Sequence, residues 1–229
     1  MENGTLYIVA TPIGNLEDIT LRALRILGEA DVIFCEDTRV TRRLCEKYEI
    51  TTHLKSLNAR TESVKIDEVL SHLENGESVA YVSDAGTPTV SDPGSQLVAR
   101  VREQNFSVEV IPGASAVTAA LSITGVPASE FTFLGFLPHK KGRQMQLKRI
   151  ADPSADGKRT VVLYESTHRI VKLLEELTQH IGERKVCIAR ELTKIYEEML
   201  CGTAEELKKR IIDTPEKQKG EFVVIVASF

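Results

Sequence analysis

Residues 79–94 read Val-Ala-Tyr-Val-Ser-Asp-Ala-Gly-Thr-Pro-Thr-Val-Ser-Asp-Pro-Gly. The first four residues form a short, wholly apolar run, the pattern of a strand buried on both faces of a parallel sheet. The next twelve are turn chemistry. Gly86 and Gly94 permit left-handed backbone, Pro88 and Pro93 fix φ, and Ser83, Asp84, Ser91 and Asp92 can hydrogen-bond neighbouring backbone. A stiff loop at the carboxyl end of a buried strand is where ligands bind in open α/β sheets. The plainer reading is a connecting turn before a helix starting near Asp92.

Working outward, the same strand-loop-helix alternation recurs. Strands are predicted at Leu6–Ala10, Val32–Cys35 and Val108–Ile111, then at Phe131–Leu134, Thr160–Tyr164, Val186–Ala189, Ile195–Leu200 and Phe222–Ala227. Helical spacing fits Leu21–Gly28 behind a Thr20 cap, a helix capped by Asp37 or Thr38 and running to Lys47, Thr61–Asn75, Ser115–Ile123 and Ile170–His180. This alternation is the signature of α/β architecture. The segment from Pro112 to Ser129 carries a boundary, which gives an N-terminal α/β domain over 1–114 and a C-terminal α/β domain over 115–229. The adjacent runs at 186–189 and 195–200 read as a hairpin, so the second sheet is predicted to be mixed.

The chain has 229 residues, a net charge of −4 and 42% hydrophobic residues, the profile of an ordinary soluble protein. No apolar run approaches the roughly 20 residues of a membrane span, and the first ten residues lack the basic start and apolar core of a signal peptide. Cys35, Cys45, Cys187 and Cys201 form no Cys-x-x-Cys pair and read as reduced thiols of a cytoplasmic protein, with no metal site. A wholly basic surface is excluded, but local basic clusters are not. His139–Arg149 holds Lys140, Lys141, Arg143, Lys148 and Arg149 with no acid, and Arg39, Arg42 and Arg43 form a second cluster. Each is a solvated helix face or a contact for a polyanion.

Further loops follow the predicted strands. Ala10-Thr11-Pro12-Ile13-Gly14 is neither a dinucleotide fingerprint nor a P-loop. Glu36-Asp37-Thr38-Arg39 places acids, a hydroxyl and a base at a strand end. Pro112-Gly113-Ala114-Ser115 offers small residues at a helix start, where backbone amides can meet a ligand. Four such loops on one sheet edge would build a cleft. In the second half, 164–169, 189–194 and 219–222 concentrate charge at strand ends, and His168 reads as part of a helix start.

Taken together, ATPIGNLEDIT (10–20), EDTR (36–39), VSDAGTPTVSDPG (82–94), PGASA (112–116), GFLPHKKGR (135–143), YESTHR (164–169), ARELTK (189–194) and KGEFV (219–223) resemble the ribosomal RNA small subunit methyltransferase I family of the tetrapyrrole-methylase superfamily. The eight blocks run in the family's order from Leu6 to Val226. Many members continue into a further C-terminal helical segment, and contacts made there have no counterpart among these residues.

The resemblance implies two α/β domains of the tetrapyrrole-methylase type with the cofactor cleft between them, a homodimer, and no membrane. It implies methyl transfer from S-adenosylmethionine to the ribose 2′-hydroxyl of a cytidine in the decoding region of small-subunit ribosomal RNA, free or in a 30S-type particle. Matched blocks place cofactor contacts at Pro12, at Ser83, Asp84, Ala85, Gly86 and Thr87, and at Pro112, Gly113, Ala114 and Ser115. Tyr164, then Ala189, Arg190, Glu191 and Leu192, then Gly220, Glu221 and Phe222 complete the set.

A ribose hydroxyl needs a general base or an electrostatic aid, for which Asp37, Glu165, Glu191 and Lys194 are candidates. Arg39, Lys140, Lys141 and Arg143 are expected to meet phosphates. Two rivals remain. A tetrapyrrole methylase on the same fold would carry a G-x-G-P-G-D-like first loop, where this chain has TPIGNLEDIT. A noncatalytic RNA-binding module would not need ligand-type loops at so many strand ends.

Overall fold

The computed structural model describes residues 4–229; the first three residues of the expected first domain lie outside that range. The chain divides into two compact units at Ser115/Ala116.

The first unit carries five strands, β1 (Thr5–Val9), β2 (Val32–Cys35), β3 (His53–Ser56), β4 (Val79–Val82) and β5 (Ser107–Ile111), in one sheet of order β3-β2-β4-β1-β5. All four pairings are parallel. Four helices connect them: α1 (Leu21–Glu29), α2 (Thr38–Lys47), α3 (Glu62–Glu74) and α4 (Ser95–Glu103). Residues of α1 and α2 pack with Val9, Ile33, Cys35, Ala80 and Val82 on one face. Residues of α3 and α4 pack with Leu6, Val32, Phe34, Val79 and Tyr81 on the other. β2 and β4 are buried at every position, as their unbroken apolar runs require.

The caps follow the sequence. Thr20 accepts from the Ala23 N–H and Asp37 from the Arg39 N–H. The helix expected near Asp92 starts at Ser95, with Gly94 at φ 117° before it. A Cβ at Gly94 would lie 2.5 Å from Tyr81 Cε1, so glycine is required there on two counts. β3 was not anticipated. His-Leu-Lys-Ser is an edge strand with no buried residue, and it lacks the apolar run that marks its neighbours.

The second unit holds β6 (Phe131–Phe136), β7 (Thr160–Ser166), β8 (Lys185–Arg190), β9 (Glu198–Thr203) and β10 (Glu221–Val226), in the order β6-β7-β10-β8-β9. Only β6 and β7 run parallel, so the sheet is mixed. One core joins the sheet to α6 (Arg143–Ala151), α7 (Ile170–Ile181) and α8 (Ala204–Asp213). The remaining helix, α5 (Ala116–Thr124), belongs wholly to this unit and packs on β9 and β10. Among the described residues no helix is long and apolar enough to cross a membrane.

Two expectations are corrected here. The strand expected at Ile195–Leu200 begins at Glu198. Ile195 and Tyr196 sit in the hairpin connection with 95% and 72% of their surface exposed, so their β-propensity misled. Cys187 and Cys201 are not reduced thiols: they face one another across the β8–β9 ladder, with Cα atoms 4.2 Å apart, and form a disulfide. Strand register is what brings them together, and spacing alone does not reveal it. Cys35 and Cys45 are free and buried.

One buried carboxylate ties the first unit together. Glu62 Oε1, at the start of α3, accepts the backbone N–H groups of Gly94, Gln96 and Leu97, each at 3.1 Å. It therefore caps α4 from a neighbouring helix. Charge-assisted bonds of this kind are stronger than neutral ones, and a buried donor left unpaired is costly. Glu62→Ala is expected to destabilise the protein by about 3 kcal/mol, with Glu62→Gln intermediate, read as a shift in the urea unfolding midpoint. An alanine variant within 0.5 kcal/mol of the parent, roughly the size of a neutral surface change, would contradict the assignment.

Candidate functional site

In the first unit, β1 and β4 are neighbours whose following helices leave to opposite faces of the sheet, and so are β2 and β4. Such a reversal opens a crevice beyond the carboxyl ends of the strands. The loop after β4 is stitched to the loops on either side of that crevice. Thr11 and Gly86 form an antiparallel bridge, each N–H donating to the other's carbonyl, at 2.9 and 3.0 Å. Thr11 Oγ1 donates to the Ser83 carbonyl at 3.1 Å, and Thr87 Oγ1 to the Ala114 carbonyl at 3.3 Å. On the other flank the Asp37 N–H donates to Asp84 Oδ1 at 3.0 Å.

The loop itself is wound tightly. Gly86 and Gly94 have φ of 82° and 117°, and Thr89 and Ser91 occupy the left-handed region at 74° and 66°. Two non-glycine residues in that region within three positions are held there only by their surroundings.

The structure thus brings together Pro12, Ser83–Thr87 and Pro112–Ser115, the first-unit residues expected to hold the cofactor. Pro12 and Ser83 are buried, while Ala85, Pro112 and Gly113 are exposed. The floor is made of small residues: a Cβ on Gly113 would lie 3.0 Å from the Ala10 Cβ, and one on Gly86 would lie 3.3 Å from Ile13 Cγ2. A ligand can reach backbone carbonyls and amides there.

The same edge is acidic. Burial raises the pKa of Glu36, and the charges of Asp84 and Asp92 raise it further. Burial likewise raises Asp84 and Asp92, against bonds from the Asp37 N–H and the Ser83 hydroxyl. A partly desolvated group of carboxylates suits a ligand carrying positive charge, such as a sulfonium with an α-amino group. Glu36, Asp92 and the bracing Glu62 were not among the expected site residues. Their signal in the sequence is only that each sits at a strand end or a helix start.

The four candidate bases fare differently. Asp37 is held at about 2 by the Arg39 side chain, whose Nη2 lies 2.6 Å from its Oδ2. It is a poor proton acceptor, and the exposed Arg39 is already paired. Glu165 is buried beneath Arg169, at 3.2 Å, and Arg143, at 4.0 Å. Burial raises it, with partial relief from the Ser166 N–H and those two cations.

Lys194 bridges Glu191 at 3.0 Å and Glu221 at 2.8 Å. Burial lowers its pKa, but both carboxylates outweigh that and leave it raised. Burial also raises Glu191, yet the Glu221 N–H and Lys194 bring it below its ordinary value. All four are engaged in ion pairs.

Arg143 is the clearest correction. It was expected to contact phosphate, but it is buried, with Nη2 2.6 Å from Glu176 Oε2. Its charge is spent inside the second unit. Lys140 and Lys141 are exposed in the turn before α6.

The second-unit segments also converge on one another. Thr167 Oγ1 donates to the Gly220 carbonyl at 3.0 Å and accepts the Gly220 N–H at 2.9 Å. Glu191 Oε1 accepts the Glu221 N–H at 2.9 Å, and a Cβ on Gly220 would lie 2.7 Å from Glu191 Cγ. Arg190 donates to the carbonyls of Lys219, Tyr196 and Glu216 and so acts as an internal clamp. Tyr164 makes edge contacts with Phe133 and Phe136. Ala189, Leu192 and Phe222 are buried, so any ligand contact there runs through backbone.

The sequence pattern of the Tetrapyrrole (Corrin/Porphyrin) Methylases matches residues 5–208. A Borrelia garinii protein named ribosomal RNA small subunit methyltransferase I is 47% identical over 222 residues, covering 97% of this chain and 98% of its own. The chain belongs to the ribosomal RNA small subunit methyltransferase I family, within the tetrapyrrole methylases. Relatives of the same name from Thermotoga maritima and Neisseria meningitidis serogroup A are 44% and 45% identical, covering 98% and 97% of the chain and 98% and 76% of their own lengths.

Diphthine synthase and cobalt precorrin-4 methyltransferase share the fold, with TM-scores of 0.75 and 0.71 at 17% and 19% identity. Those alignments cover 98% and 97% of this chain and 90% and 94% of theirs. The tetrapyrrole-methylase fold is therefore confirmed. As a family member the chain is a methyltransferase that uses S-adenosylmethionine.

The acidic edge sets a pH dependence. Glu36, Asp84 and Asp92 have folded pKa values raised above their unfolded values, which lie near 4. Their contribution to stability is complete below that value and is lost as pH rises through the folded values. Asp84→Asn keeps an acceptor for the Asp37 N–H and removes one charge. It is expected to raise the melting temperature at pH 7.5, by an amount that shrinks towards pH 4. Thermal unfolding across that range checks this, and a variant no more stable than the parent at pH 7.5 would contradict it.

Proposed function

We propose that this enzyme methylates the ribose 2′-hydroxyl of a cytidine in small-subunit ribosomal RNA. The observation that carries the reading is the 44–47% identity to proteins of that name across 97–98% of the chain. The loops after β1, β4 and β5 are proposed to hold the methionine and adenosine parts of the cofactor through backbone groups. The second-unit set Tyr164, Ala189–Leu192 and Gly220–Phe222 stays within the same proposal. S-adenosylmethionine supplies an electrophilic methyl group for an in-line displacement.

The chain's own residues position the reactants. Backbone carbonyls and small side chains leave room for the methionine moiety, and the Asp84 edge balances its positive charge. Ion pairing of Asp37, Glu191 and Lys194 argues against proton abstraction by any of them, and supports a role for these residues in holding loops. A tetrapyrrole substrate is disfavoured by the TPIGNLEDIT loop and the basic stretch before and along α6. We place the protein in the cytoplasm, where ribosomal RNA is found, and take a homodimer as its working assembly.

The test is methylation of purified small ribosomal subunits lacking the modification, with labelled S-adenosylmethionine and the labelled nucleotide mapped. The expected result is one labelled cytidine resistant to alkaline cleavage at its 3′ side, as a blocked 2′-oxygen requires. Label confined to a base, or no label in RNA while cofactor binds, would refute the proposal.

A further inference from the structure

The acidic crevice edge of the first unit repels phosphate, so an RNA substrate needs basic surface away from that edge, and the 139–149 run offers one in addition to the Arg39, Arg42 and Arg43 cluster. Arg143 is buried against Glu176, which leaves Lys140, Lys141, Lys148 and Arg149 as the exposed cations of the 139–149 run. α6 turns Arg143, Leu147 and Ile150 inward. Its outer face carries a groove of about 370 Å³ lined by Gln144, Met145, Lys148, Arg149 and Asp152. That volume sits at the small end of ligand sites, about 300–1,000 Å³.

The lining is not that of a plain solvated helix face. Met145 leaves 60% of its surface exposed, an apolar wall among cations. Gln144 Oε1 is 3.2 Å from His180 Nε2, which fixes the amide. Arg149 is pinned by Asp156, with Nη2 to Oδ2 at 3.2 Å, yet half its side chain stays open. Asp152 puts a negative charge at the C-terminal end, where it takes bonds from the Ser154 N–H and hydroxyl. Phosphate is therefore favoured towards the Lys140–Lys141 end, which is also the helix N-terminus.

We propose that this groove holds one unpaired nucleotide of the ribosomal RNA substrate. The base lies on Met145 with its edge towards Gln144, and the adjoining phosphates meet Lys148, Arg149 and the 140–141 turn. Polarizable thioethers pack well against flat rings, and stacking with backbone charge is how single strands are held without strict sequence preference. The inference rests on the RNA substrate proposed above. Charge complementarity selects RNA over a protein partner as occupant.

The test compares the whole protein with Met145→Ala, Lys148→Ala, Met145→Leu and Lys148→Arg. Readouts are binding to deproteinised small-subunit RNA over a salt series, cofactor affinity, and methylation of small subunits. Lys148→Ala is expected to weaken RNA binding several-fold and to reduce the log–log salt slope by about 0.7, the value for one phosphate on a single strand. Met145→Ala is expected to weaken binding about fivefold, within the range for a thioether packed on a flat ring, with the slope unchanged. The Leu and Arg variants should restore binding, and cofactor affinity should stay at the parent value throughout.

RNA affinity within twofold of the parent for both alanine variants overturns the proposal while the methylation reading stands. Methylation lost with free-RNA binding intact also overturns it, because the groove then contacts protein. A parent enzyme that neither binds nor methylates RNA sinks both readings.

Discussion

The Glu62 carboxylate is the fixed point of the first unit. Three backbone N–H groups at the start of α4 converge on one of its oxygens, and that anchors the far end of the loop that begins at Ser83. The near end is held by the Thr11–Gly86 bridge and by Asp84 on the Asp37 N–H. With both ends tied, Thr89 and Ser91 can be kept in the left-handed region. The loop then presents backbone rather than long side chains at the crevice where α-helices leave the sheet to opposite faces. A ligand met by preset backbone groups requires little reorganisation on binding.

Charge is distributed by task. Glu36, Asp84 and Asp92 crowd the crevice edge and repel one another, a cost in stability that a cationic ligand bound there would offset. In the second unit several charges are paired or bonded internally. Arg143 is paired with Glu176, Arg190 clamps three carbonyls, and Lys194 joins Glu191 to Glu221. What remains exposed along 140–149 is a cationic surface set apart in sequence from the acidic loops. An enzyme that handles a positively charged donor and a polyanionic acceptor benefits from that separation, since each field would otherwise weaken binding of the other partner.

Much of this was legible in the sequence. The buried strands announced themselves as apolar runs, and Thr20 and Asp37 as caps, because those signals are local. The loops that end β1, β4 and β5 were legible for the same reason, since glycine and proline constrain the backbone wherever they occur. Features that depend on what packs nearby were hidden. β3 is an exposed edge strand without an apolar run, and α6 hides its inward face behind arginine and lysine. Arg143 looks like any surface cation until Glu176 is brought to it by α7. The Cys187–Cys201 pairing depends on register across two strands, and Glu62 on the approach of α3 to α4. Candidate bases could be nominated by residue type, but the ion pairs that engage them are tertiary.

The central claim is that the β4-end loop, tied to its neighbours after β1 and β5, is the cofactor platform. Hydrogen exchange of the backbone amides with and without saturating S-adenosylmethionine tests it most directly. The account predicts slowed exchange in 83–94, 10–14 and 112–115 of the first unit. Saturable cofactor binding that leaves all three segments exchanging at their free rates would contradict it.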